Sequence, residues 1–413
     1  MSMNRAGLVG APLVALSVLA MTAMAEGRPG EGIRLSDWTL SPFVDLSATW
    51  DSNALRTGDD QAEDVFYDAV GGVNGAYSSG KLSLQVGGYI MTRGYSEESD
   101  LDYSGGGENA SLSFGDRKSL SVSLYQSYMV TEDTGRYGVN YYNVGSLYAD
   151  APVNRQLQTR NETLTFGVGL SRDLTDKIGA GVNYAYSETA YDADSLQDVA
   201  DHRFSASGSY FLTDKTSLNL SGTYGTSDDG VLTEAANTYS VNGGISTRAT
   251  EKLTFSANVG WSSYSRPDPE VVDAGYTGSD DSTVSYNLAA TWMATDKMSV
   301  QAGAQNGYSQ SAQYAGNASL NSSVFLGLGY RMSDTVSLSW INTYRQDEYL
   351  DPIEVDGESR DRTEKGYGSH VTVSYATPAK FMSVYGSAGY EKVEAVEDDY
   401  DQVRVSIGTH LQY

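Results

Sequence analysis

The sequence predicts an all-β fold: a transmembrane antiparallel up-and-down β-barrel of about 18 strands, with short periplasmic turns and long acidic external loops. Three observations carry this. A small turn recurs, most clearly at Leu212-Thr213-Asp214-Lys215, with close relatives at Leu174-Thr175-Asp176-Lys177, Ala249-Thr250-Glu251-Lys252 and Ala294-Thr295-Asp296-Lys297. Looser copies stand at Ser78-Ser79-Gly80-Lys81, Gly115-Asp116-Arg117-Lys118, Met332-Ser333-Asp334-Thr335 and Thr377-Pro378-Ala379-Lys380. Segments alternating apolar with small polar residues flank every copy, as at the tip of a hairpin. Finally, charge is sorted: seven of the nine lysines sit in these turns, whereas acids dominate the longer connections, as in Asp228-Asp229 and Glu397-Asp398-Asp399.

Taken in order, the chain opens with Arg5, an apolar run from Ala6 to Ala20, and Ala23-Met24-Ala25, the small-x-small pattern of a signal-peptidase site. Residues 1–25 therefore read as a cleaved secretory signal peptide; the run is short for a retained anchor helix. Residues 26–38 form a short N-terminal periplasmic lead without a pattern of its own, and 39–413 the barrel.

The first strand is expected from about Pro42 to Trp50, and the next two, Val65 to Tyr77 and Leu82 to Tyr95, flank the turn at Lys81. Pairs follow as Tyr103 to Phe114 with Ser119 to Val130, Thr159 to Leu170 with Ile178 to Tyr191, and His202 to Phe211 with Thr216 to Thr226. They continue as Asn237 to Thr247 with Leu253 to Tyr264, Ser282 to Trp292 with Met298 to Ser309, and Ser319 to Tyr330 with Val336 to Tyr344. Gly366 to Ala376 with Phe381 to Val393 and a last strand from Tyr400 to Tyr413 complete the set. An even count puts both barrel ends on the side of the short turns.

The two faces separate a barrel from a soluble β repeat. After Lys252, Leu253, Phe255, Ala257, Val259 and Trp261 alternate with Thr254, Ser256, Asn258, Gly260 and Ser262. The polar face offers no second apolar set for another layer to bury, so the apolar face is left for lipid. In the last strand Val403, Val405, Ile407, Leu411 and the terminal Tyr413 share one side. This resembles the C-terminal signal of bacterial outer-membrane proteins, which implies insertion by the outer-membrane assembly machinery. The expected location is the outer membrane of a Gram-negative cell, among its lipids and lipopolysaccharide.

Composition narrows the chemistry. With 53 acidic against 27 basic residues and a formal charge of −26, nucleic acid is not an expected partner. There is no cysteine, hence no disulfide or thiolate site. The acidic loops read either as solvated surface or as carboxylates for divalent cations that bridge lipopolysaccharide. No calcium-loop spacing is present, and the three histidines, His202, His370 and His410, have no metal-ligand spacing and no Gly-x-Ser-x-Gly partner. No catalytic, metal or cofactor site is assigned, and the chain is read as not an enzyme.

The polar face carries hydroxyls, amides and glycine with scattered charges at Asp45, Asp68, Arg93, Arg203, Glu391 and Arg404. About 18 strands enclose an aqueous lumen, so Arg93, Arg203 and Arg404 are candidate lumen contacts. The longest connection, Thr131 to Gln158, carries Arg136, Tyr137, Tyr141, Tyr142, Tyr148 and Arg155. Folded inward, it would form a constriction that stacks on sugar rings; folded outward, it is a surface loop.

The stretch Tyr210-Phe211-Leu212-Thr213-Asp214-Lys215-Thr216-Ser217-Leu218-Asn219-Leu220, its echo Ala249-Thr250-Glu251-Lys252-Leu253-Thr254-Phe255, and Ser52-Asn53 after the first strand resemble the type 2 β-barrel porins found with bacterial exopolysaccharide gene clusters. The resemblance implies a channel assisting export of a secreted polysaccharide, with periplasmic polysaccharide-export proteins as partners. The residues themselves leave open a general or sugar-uptake porin for small hydrophilic solutes, and an enzyme in the barrel wall.

Overall fold

The computed structural model describes residues 26–28, 31–56, 58, 61–131, 160–192, 198–228, 235–266, 279–310, 318–350, 353–355, 358–395 and 399–413. Eighteen long strands dominate them. They are β1 (Trp38–Asp51), β2 (Asp64–Ser79), β3 (Leu82–Tyr95), β4 (Tyr103–Asp116), β5 (Leu120–Thr131), β6 (Asn161–Asp173), β7 (Ile178–Tyr191), β8 (Val199–Thr213) and β9 (Thr216–Asp228). The others are β10 (Ala236–Arg248), β11 (Leu253–Arg266), β12 (Ser279–Thr295), β13 (Met298–Gln310), β14 (Ala318–Arg331), β15 (Val336–Tyr349), β16 (Thr363–Ala376), β17 (Met382–Glu394) and β18 (Tyr400–Gln412).

Each strand pairs antiparallel with its sequence neighbours, and β18 pairs with β1 from Arg404 opposite Asp51 to Gln412 opposite Phe43. That last ladder closes the sheet. Closure satisfies the strand backbones internally, the condition for crossing lipid with strands. The expected strand count and order are those observed. Two differences stand at the ends. Gly32–Leu35, in the lead that shows no pattern of its own, pairs with the foot of β1, where Ile33 meets Leu40. Several strands also run further outward than the alternation indicates: β12 begins at Ser279 and β15 ends at Tyr349. There the outer ladder is built on polar residues, which carry no hydropathy signal.

The recurrent turn works through its threonine. Thr213 Oγ1 accepts the Lys215 N–H at 3.2 Å, and Thr250 and Thr295 do the same for Lys252 and Lys297. Thr175 accepts from both Lys177 and Ile178, and Ser333 repeats this with Thr335 and Val336. A short hydroxyl thus supplies the acceptor that a tight turn otherwise lacks. Neighbouring turns are also linked by charge, Lys81 to Asp116 at 2.5 Å and Arg117 to Asp173 at 3.4 Å. The Lys81 ammonium, with the Ser119 amide and hydroxyl, holds the Asp116 carboxyl well below the usual carboxylate range.

Directly opposed residues share a face, so the register divides every strand into an outer and a lumen side. On the outside stand Val44, Leu46, Ile90, Leu220, Val284 and Ile407, all exposed, with Ile407 63% accessible. Aromatic rings bound this apolar band. Toward the external loops lie Trp50, Tyr67, Trp261 and the cross-strand pairs Tyr224–Tyr239 and Tyr344–Tyr367, each pair with centroids 5.0 Å apart. Toward the short turns lie Tyr210, Trp292, Tyr330, Tyr375 and Tyr413. An exposed apolar band between two aromatic girdles is the lipid-facing surface of an outer-membrane barrel, and that membrane is where the chain resides.

The belt makes a direct prediction. Leu220→Arg, in mid-band, is expected to cost about 2–4 kcal/mol of barrel stability, whereas Ser221→Arg on the lumen side of the same strand is expected to cost little. Urea unfolding of the protein in lipid vesicles compares the two.

Candidate functional site: the barrel lumen

The lumen has two unlike sectors. From β5 to β11 its wall is mainly serine, threonine, asparagine and glycine, as in β9, where Ser217, Asn219, Ser221, Thr223 and Gly225 face inward opposite Ser246, Gly244, Asn242, Ser240 and Thr238 of β10. Charges in this sector stay near strand ends, as Asp201 and Arg203 toward the external end of β8. The wall is concave between β5 and β11, where it borders an open hollow of about 530 Å3.

The other sector, from β14 through β18 to β3, is charged toward its external end, and four of its described arginines are paired. Arg93 reaches Asp68 on the adjacent strand through two bonds, Nε–Oδ1 at 2.7 Å and Nη2–Oδ2 at 3.1 Å. Arg404 Nε donates to Asp51 Oδ2 at 2.9 Å across the closing ladder. Arg345 meets Asp347 at 2.8 Å, and Arg362 meets Glu364. The ring of Phe66 lies between two of these cations, with Arg93 Cζ 4.1 Å and Arg404 Cζ 5.9 Å from its centroid.

This paired cluster anchors the connection between β1 and β2. Gln402 Nε2 donates to both Asp51 oxygens, at 2.7 and 2.8 Å, and to the Asn53 carbonyl at 2.8 Å. Asn53 in turn donates from Nδ2 to the Asp401 carbonyl at 3.1 Å, and both Asp51 and Asn53 are fully buried. Ala54 then packs on Phe66, Tyr95 and Leu101. Phe66 and Tyr95 are lumen-facing by register, so the chain after β1 turns inward over this part of the mouth. Beside it, Asp64 ties the β3–β4 connection to β2 by accepting the amides of Glu97 and Glu98.

Lumen-facing rings are accommodated by glycine. A Cβ at Gly167 would overlap the Tyr125 ring, and the same holds for Gly72 with Phe43, Gly303 with Phe325, and Gly408 with Tyr385; at Gly107 the Tyr89 ring is tightly placed. Each partner lies on the next strand, so these side chains lie along the wall instead of projecting into the passage.

By register, Arg93, Arg203 and Arg404 fall on the inner face of their strands. Arg93 and Arg404 meet at the Phe66 ring, and Arg203 stands apart on β8. Arg93 and Arg404 are taken up by carboxylates, while Arg203 is exposed between Ala185 and Gly225 with no ion-pair partner among the described residues. Arg136, Tyr137, Tyr141, Tyr142, Tyr148 and Arg155, and with them the expected constriction, lie outside the described residues. His370 and His410 are lumen-facing, as the alternation indicates, on strands separated by β17. His410 Nδ1 meets Asp45 Oδ1 at 2.6 Å and Nε2 meets Gln412 Oε1 at 3.4 Å. His202 faces outward, against Tyr184 at 2.9 Å. The inward β1–β2 connection and the glycine seats were not anticipated. Both depend on which residues oppose each other across strands, and alternation alone does not carry that.

No protein-family model and no curated protein matches the chain. Among solved structures it is similar to Pseudomonas aeruginosa OpdQ, with 13% identity over 92% of this chain and 98% of that one and a TM-score of 0.48. It is similar also to Acinetobacter baumannii OccAB3, with 11% identity over 92% and 100% and a TM-score of 0.46. The outer membrane protein opdK from Pseudomonas aeruginosa shares 14% identity over 91% and 99%, with a TM-score of 0.46. The chain's own geometry, a closed barrel with a lipid-facing belt and a polar lumen, makes it an outer-membrane β-barrel channel.

Proposed function

We propose that the barrel is a passive uptake channel for small, uncharged hydrophilic solutes. The observation that carries this reading is the pairing of lumen charge. Arg93, Arg345, Arg362 and Arg404 each face a carboxylate, whereas Arg203, near the external end of β8, has no ion-pair partner among the described residues, and the sector from β5 to β11 offers mainly hydroxyls, amides and glycine. Such a wall replaces the hydration of a neutral solute with equivalent hydrogen bonds, and gives an anion or cation little to hold. Polysaccharide export, implied by the family resemblance, calls for a clear, wide mouth. The inward β1–β2 connection favours passage of small molecules instead, and partnership with periplasmic export proteins has no feature among the described residues to support it.

Swelling of proteoliposomes containing the purified full chain tests the reading. Arabinose and glucose are expected to enter quickly, larger oligosaccharides more slowly, and a dextran polymer not at all. Passage of dextran at a rate comparable to glucose would favour the export reading and sink this one.

A further inference from the structure

We propose that the concave sector between β5 and β11 is a binding subsite for a neutral saccharide, an inference that rests on the channel reading above. The concavity, about 530 Å3, is of a size with small-molecule sites. Glycines at 169, 179 and 181 hollow the wall, and Asn183, Ser207, Asn219 and Asn258 line it. Among the described residues Arg117 is the one charged group lining it, and its guanidinium faces Asp173 at 3.4 Å.

An aromatic surface stands at each end of the hollow. Phe211 is part of its lining at the periplasmic side. On β5, Tyr125 lies two residues above Ser123, which lines the hollow, and on the same face. Because Gly167 seats the ring against the wall, one face of Tyr125 remains open, and the residue is 42% exposed.

This combination selects for a sugar. A pyranose presents an apolar C–H face that stacks on an aromatic ring, and an equatorial fringe of hydroxyls that both donate and accept. Asparagine amides and serine hydroxyls do the same, in a hollow whose lining cation, Arg117, already faces Asp173. A charged metabolite would lose hydration here without gaining a counterion.

The test is single-channel recording of the purified full chain in planar bilayers with maltotriose added. The expected result is a reversible, saturable reduction of current, with gluconate at the same concentrations giving none. Tyr125→Ala is expected to raise the half-blocking concentration about tenfold, and Tyr125→Phe to leave it near that of the unaltered protein. Asn219→Leu, which leaves the ring in place, is expected to weaken block as well. A conducting channel without saturable block overturns the saccharide subsite and spares the channel reading. Block that neither Tyr125→Ala nor Asn219→Leu alters overturns it too, because binding is then elsewhere. A folded protein that conducts no ions overturns both.

Discussion

Gly167→Val is expected to lower single-channel conductance and to destabilise the barrel by about 1–3 kcal/mol, the usual cost of forcing extra volume into a packed contact. The physical reason is local. Tyr125 lies over Gly167 on the neighbouring strand, in the space a Cβ at that position would occupy. Valine must lift the ring from the wall, and the one direction open to it is the passage. Unfolding in vesicles reads the stability, and bilayer recording reads the bore. The double variant Gly167→Val with Tyr125→Ala is expected to recover conductance, because the displaced ring is then gone. Conductance that stays low in the double variant would show that valine acts through the sheet and not through the ring.

Asp51→Ala is expected to have a larger effect on stability, about 3–5 kcal/mol, and the opposite effect on current. Asp51 is fully buried and accepts from Arg404 and twice from Gln402. Removing one member of a buried ion pair leaves the other uncompensated. The Arg404 side chain is 26% exposed, so lumen water relieves part of this cost and the lower end of the range is expected. Gln402 also holds the Asn53 carbonyl, so the β1–β2 connection loses its anchor and conductance rises. Asp51→Asn keeps an acceptor for Gln402 but removes the charge, and should fall between the two. An Asp51→Ala barrel as stable as the unaltered one would mean that the network is incidental.

Much of this architecture is legible along the chain because a barrel wall is a local code. Alternation assigns each residue to lipid or lumen, and Thr213, Thr250 and Thr295 each mark a turn with a side-chain acceptor two residues before a lysine. Strand order follows from turn spacing alone. What escapes the sequence is relational. The bond from Gln402 to Asp51 spans 351 positions, so nothing near either residue announces it. Arg93 and Arg404 look like free lumen cations until the register sets Asp68 and Asp51 opposite them. Glycine reads as one more small polar residue in a strand; its role as a seat for Tyr125, Phe325 or Tyr385 emerges with the neighbouring strand in place. The strand ends escape for a different reason, since Asp280 and Asp281 on β12 break the hydropathy pattern while the ladder with β11 continues.

The central claim is that this chain encloses a continuous aqueous path across the outer membrane. Insertion of the purified, folded protein into a planar bilayer in simple salt tests it most directly. The structure predicts discrete, long-lived, ohmic current steps with weak preference between cation and anion, since the lumen arginines facing carboxylates are largely neutralised. A bilayer that stays electrically silent after verified insertion of folded barrel would contradict the account.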